Sequence, residues 1–188
     1  MEEITTFESG PFEPEVGYNI NPNATITSNR SEKIKENIIS KNGYITDNTS
    51  AFIMSNNSGS IISNTVPYYL TPGGSIVGGL IFGNKVEKVI LNNQIGRGGI
   101  VNNTSSEIIF NTAYGISNNR TRDITNNYIT NPGEQDYKAT ITNNVINYDI
   151  INNTCKGIFL NIIKREIRFN NIDGFISNNK ACEILYND

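Results

Sequence analysis

The chain has no histidine and no tryptophan, and only two cysteines. Without an imidazole, most catalytic triads and the common zinc hydrolase sites are excluded. Two cysteines build neither a disulfide framework nor a four-thiolate metal site. No apolar run of about 18 residues occurs, so no membrane-spanning helix is expected. The start Met1-Glu2-Glu3 carries neither the basic region nor the apolar stretch of a secretory signal. The expectation is therefore a protein of the cytoplasm, or one packaged into a virion or appendage. Positive charge is scarce as well: the net charge of −3 and pI near 5.1 lack the basic face that nucleic acid requires. Glu2, Glu3, Glu8, Glu13 and Glu15 put five negative charges and no positive one in the segment 1–25.

What the chain has in excess is asparagine and isoleucine, 32 Asn and 31 Ile, and both recur in order. Ile90, Ile116, Ile141 and Ile167 each open a segment that closes in Asn-Asn, at spacings of 26, 25 and 26 along the chain. Ile100, Ile124, Ile150 and Ile176 repeat the motif at 24, 26 and 26. A third series, Ile108-Ile-Phe-Asn111, Ile158-Phe-Leu-Asn161 and Ile184-Leu-Tyr-Asn187, completes the pattern. A fixed period of this kind marks stacked repeats, because one repeat alone cannot bury its apolar face. The spacing predicts an all-β parallel β-helix with three sides and about six coils of roughly 26 residues. Ile116, Ile141 and Ile167 are expected in one buried stack and Ile124, Ile150 and Ile176 in another. Strand alternation sets Ile and the first Asn of each Asn-Asn pair on the same side. That first amide is then expected to turn inward and to hydrogen-bond from coil to coil, an asparagine ladder with the ~4.8 Å spacing of stacked strands.

Residues 1–25, with Pro11, Pro14 and Pro22, break the pattern and are expected to form a cap or attachment arm before a β-helix over 26–188. The strand at Ile184-Leu-Tyr-Asn-Asp188 has no evident cover. Self-association, or docking into a larger assembly through that end, is expected. Cys155 and Cys182 are separated by about one such period and are expected on adjacent coils as free thiols. The Gly-Pro-rich stretch Thr71–Gly79, beside Tyr68 and Tyr69, and the loop Asn131–Lys138 interrupt the repeat. The first is either a tight corner or a groove beside aromatic rings, the second a protruding turn.

One deviation is chemical. Asp123 and Asp149 each precede an isoleucine and lie one such period apart, so they should stack on adjacent coils and point outward. Two carboxylates at strand spacing repel unless a cation or a raised pKa relieves them. No cofactor is expected here other than calcium, which Asp123 and Asp149 would hold. Arg122, Tyr148 and Asp173 are expected on the preceding bend, with Glu166 and Arg168 on the neighbouring side. Arg122, Asp123, Tyr148, Asp149, Arg168 and Asp173 thus make up the expected ligand shelf, and Asp123, Asp149 and Glu166 the candidate acids and bases. A surface ion pair between Arg122 and Asp149 accounts for the same residues without catalysis.

The Ile-x-Asn-Asn segments, with the variants Gly115-Ile-Ser-Asn118 and Gly157-Ile-Phe-Leu-Asn161, resemble the right-handed parallel β-helix repeats of the pectate-lyase-like superfamily over roughly residues 24–187. That superfamily holds pectate lyases, polygalacturonases, mannuronan epimerases and phage tailspikes. The resemblance implies a structural or carbohydrate-binding element of a virion, phage tail or surface appendage. The alternative is a polysaccharide lyase, hydrolase or epimerase acting on acidic glycans.

Overall fold

A computed structural model describes residues 2–4, 13–17, 20–21, 24–39, 43–66, 68–70, 76–96, 99–130 and 139–188. They fold as an all-β parallel solenoid, and no helix among them is long and apolar enough to cross a membrane. The expected loop at 131–138 and residues 71–75 of the Gly-Pro-rich stretch lie outside the described residues. Within 1–25, Glu2–Ile4 pairs parallel with Ala24–Thr27, and Glu13–Gly17 with Arg30–Lys35.

The coil is shorter than the motif spacing suggested. Asn29, Asn48, Asn64, Asn93, Asn111, Asn127, Asn153, Asn170 and Asn187 join side chain to side chain, and these nine rungs bound eight turns. Regular turns advance the chain by 16 to 19 positions. Two longer turns, of 29 and 26, carry the insertions after Val66 and Ile129. A second ladder, from Asn37 through Asn56, Asn84, Asn103, Asn119, Asn144 and Asn161 to Asn179, runs half a turn away. Each turn therefore uses the Ile-plus-Asn unit twice. One copy feeds sheet A, in which Ile26, Ile45, Ile61, Ile90, Ile108, Ile124, Ile150 and Ile167 stack. The other feeds sheet B, with Ile34, Ile53, Ile81, Ile100, Ile116, Ile141 and Ile158. All fifteen are 0% exposed.

Short two-residue ladders connect the two sheets. The first carries Val66, Ile95, Ala113, Ile129 and Cys155 inward, and the second Ile39, Val86, Ile146 and Ile163. The cross-section thus has two long and two short sides rather than three, and about eight turns rather than six. The step from Ile150 to Ile176 is the sum of three half-turns. Ile176 accordingly pairs with Ile158 on sheet B, while Ile150 pairs with Ile167 on sheet A. Ile116 and Ile141 do stack, as do Ile124 and Ile150, because the inserted turn between them stretches one full turn to a similar length.

The ladder is made by the second asparagine of each pair. In Ile116-Ser-Asn118-Asn119, Asn118 has φ 55° and Asn119 is 1% exposed. A left-handed residue reverses the in-and-out alternation, so the first amide faces out and the next residue points into the corner. Among the described residues, sixteen non-glycine residues occupy this corner conformation. Seven of them are Asn, whose short polar side chain tolerates it. Phe110, Leu160, Phe169 and Tyr186 do so as well, at about 1–2 kcal/mol each for a bulky residue.

Each buried asparagine is fully engaged. The Asn127 Nδ2 donates to Thr125 O, Ile108 O and Asn153 Oδ1 at 3.0, 2.9 and 3.0 Å, and its Oδ1 accepts the Asn111 N–H at 2.9 Å. Every orphaned group at such a corner costs about 1–3 kcal/mol. Asn127→Ala is therefore expected to lower unfolding stability by about 3 kcal/mol or more, and Asn126→Gly by less than about 1 kcal/mol. Urea denaturation of the two variants measures the difference. Equal losses would show that the inward asparagine is wrongly assigned.

Candidate functional site

In the last five strands of sheet A the residue before the inward-facing isoleucine is acidic. Glu107, Asp123, Asp149, Glu166 and Glu183 form one outward column, with Glu107 beside Asp123 and Glu166 beside Glu183 in register. The local cause is strand alternation. With Ile108, Ile124, Ile150, Ile167 and Ile184 held inward, the preceding side chain must face out. Sequence reading found three members of this column and missed Glu107 and Glu183. Grouping by the longer period had put their isoleucines in a different series from Ile124 and Ile150. The repeated acidic-Ile dipeptide was the signal that could have found them.

Carboxylates spaced by ~4.8 Å repel, and the chain itself relieves them. The Asp149 N–H donates to Asp123 Oδ1 at 3.1 Å, and the Glu166 N–H donates to Asp149 Oδ1 at 2.9 Å. Arg122 donates from Nε to Asp123 Oδ2 at 2.9 Å and also reaches Glu107. Arg165 Nη1 stands 3.6 Å from Asp149 Oδ2, and Asp149 is only 5% exposed. Arg168 Nε faces Glu166 Oε2 at 3.1 Å without hydrogen-bond alignment, so this contact is one of charge alone. Tyr148 lies between two guanidinium groups, 5.9 Å from Arg122 and 5.6 Å from Arg165, with 45% of its surface open.

Arg122, Asp123, Tyr148, Asp149, Glu166 and Arg168 are thus brought together on one face, and Arg165 joins them. Asp173 is not. It sits in the strand Asn171–Ser177, in the segment leading to sheet B, and forms an ion pair with Lys156. No group of three or more Cys, Asp or Glu side chains converges as a metal cage among the described residues. What the face offers chemically is two cations flanking an aromatic ring above a row of carboxylates. Asp123 Oδ1 and Asp149 Oδ1 are already taken by backbone donors, whereas the buried Glu166 Oε2 has no hydrogen-bond donor among the described residues.

The two cysteines do not stack. Cys155 lies on a short ladder beside Ile172, whereas the Cys182 N–H and Sγ donate to the carbonyls of Arg165 and Lys164 across the cross-section. Both are free thiols, Cys155 buried and Cys182 exposed. Their separation spans about three half-turns and carries the second thiol to the other corner.

Asp149→Asn keeps an oxygen for the Glu166 N–H and is expected to cost under about 1 kcal/mol, against about 1–3 kcal/mol for Asp149→Ala. Equal costs in chemical denaturation would contradict the backbone-capping role. For the thiols, one equivalent of reagent is expected to react in the native protein and a second only after denaturation. Burial pushes Cys155 from 9.0 up to about 12. The unfolded chain then loses this proton first, so the stabilising contribution is full below pH 9.0 and falls as pH rises toward about 12. A stability profile flat over that range in wild type, matching Cys155→Ala, would remove this role.

Comparison with protein-family models, with curated proteins and with solved structures finds no match for this chain.

Proposed function

We propose that this chain is a structural or carbohydrate-binding β-solenoid element of a larger assembly such as a virion, phage tail or surface appendage. The observation that carries this reading is the engagement of the Asp123 and Asp149 carboxylates. Each holds a backbone N–H of the next turn, so these groups serve as scaffold rather than as exchangeable acid and base. The face they support, with Tyr148 between Arg122 and Arg165, suits an acidic glycan held by charge and stacking. Calcium held by Asp123 and Asp149 would serve the same binding role.

The assembly part of this reading is supported by apolar side chains left in water. Phe175 in the strand Asn171–Ser177 is 58% exposed, Ile184 and the neighbouring Tyr186 are 49% and 73% exposed, and another copy or another subunit covers them in this reading. The alternative is a polysaccharide lyase, hydrolase or epimerase using Asp123, Asp149 and Glu166. Their stacking beside Arg122 is what favours it.

Light scattering is expected to show a multimer that Ile184→Lys dissociates without loss of β-sheet circular dichroism. A wild-type monomer at high concentration would defeat the assembly reading. Incubation with pectin, alginate and bacterial surface glycans, with and without calcium, is expected to give binding and no new unsaturated or reducing ends. Cleavage that vanishes in the Asp123→Asn, Asp149→Asn double variant would establish the enzyme instead.

A further inference from the structure

The corner where sheet A meets the first short ladder carries a second, uncharged surface. An open groove of about 500 Å³ runs across several turns there, lined by Leu91, Asn92, Phe110, Thr112, Asn126 and Tyr128 among others, with no charged residue in its wall. Tyr128 also lines an adjoining hollow of about 270 Å³ with Thr154 and Asn171, where the Lys156 and Asp173 ion pair lies.

Four bulky residues take the left-handed corner conformation with half or more of their surface in water, Phe110, Leu160, Phe169 and Tyr186; Phe169 and Tyr186 stack on each other, and Phe110 is the one that lines this groove. It takes the left-handed corner conformation at φ 55°, where the rungs on either side use Asn92 at 53° and Asn126 at 55°. Its ring is nevertheless 57% exposed, so it combines an unfavourable backbone with an apolar surface left in water. Tyr128, one turn on, is 54% exposed beside it. A local rule broken with no gain in packing points to use of the side chain by a ligand. The polar groups at hand are amide and hydroxyl. The Asn126 carboxamide and the Thr112 hydroxyl make no hydrogen bond among the described residues.

We propose that this groove binds an uncharged oligosaccharide lying along the solenoid axis, its ring faces against Phe110 and Tyr128 and its hydroxyls on Asn92, Thr112 and Asn126. Aromatic rings with a few convergent polar groups are the usual walls of such a site. Successive rungs offer these groups every ~4.8 Å, about the length of one pyranose unit. The uncharged wall selects a neutral sugar, because a uronate would lose hydration here without gaining a cation. This inference rests on the carbohydrate-binding reading but assigns a different face from the Arg122 and Tyr148 shelf.

The test is affinity electrophoresis in native gels cast with dextran, laminarin, glucomannan or xylan, and with pectin or alginate as the acidic arm. Retardation of the wild type by at least one neutral glycan is expected. Phe110→Asn, which restores the residue type of the flanking rungs, should weaken it roughly tenfold, as should Tyr128→Ala. The Phe110→Asn thermal midpoint should equal or exceed that of wild type, which keeps misfolding out of the result. Retardation unchanged in both variants overturns the proposal. Binding lost only in Arg122→Ala removes the groove while leaving the carbohydrate reading in place, and no retardation by any glycan removes both. A multimer that Tyr128→Ala turns to monomer assigns the groove to a second copy and also overturns the proposal.

Discussion

The whole solenoid depends on a carboxamide buried at two opposite corners of each turn. A chain that turns sharply must leave backbone groups without partners in the interior, and buried polar groups without partners are too costly to keep. Asparagine resolves this at both ends of its amide. Its Nδ2 fills the carbonyl of its own strand and that of the turn below, and its Oδ1 takes an N–H from the same neighbouring turn. The next turn repeats the arrangement, so the ladders are continuous hydrogen-bonded rows through an interior built mainly of isoleucine. No residue of another size does this. Aspartate would bring charge, and glutamine would need a wider corner.

Sequence made the solenoid legible because Ile and Asn keep strict places, but it concealed the pitch. With most half-turns of eight or nine residues, a column sampled every third time repeats near 26, and the insertion after Ile129 lengthens full turns to 25 and 26. Ile150 and Ile176 then look equivalent although they face different sheets. The place of the inward asparagine was misread for a conformational reason. Simple alternation holds only while φ stays negative, and the corner residue violates it.

The charged face was partly legible. Asp123 and Asp149 stack as their positions suggested, and Glu166 follows on the next rung. Asp173 went to the other half of the turn because Gly174 and Phe175 carry the chain onward to sheet B. The uncharged groove could not be read in advance. Phe110 and Tyr128 occupy places that look interchangeable with Asn and Thr until corner geometry shows which side chains face water.

Both long insertions leave the coil at one place, between the first short ladder and sheet B, after Val66 and after Ile129. The asparagine rows pass them without a missing rung. Contacts that hold a turn are therefore made only with its immediate neighbours, and loop length at that edge enters as a slowly varying entropy rather than as lost bonding. Such a chain can lengthen, shorten or exchange segments along one longitudinal seam while its cross-section stays fixed. Large-scale diversification in this molecule is thereby confined to a line, and the other edges vary by substitution and by small changes in turn length.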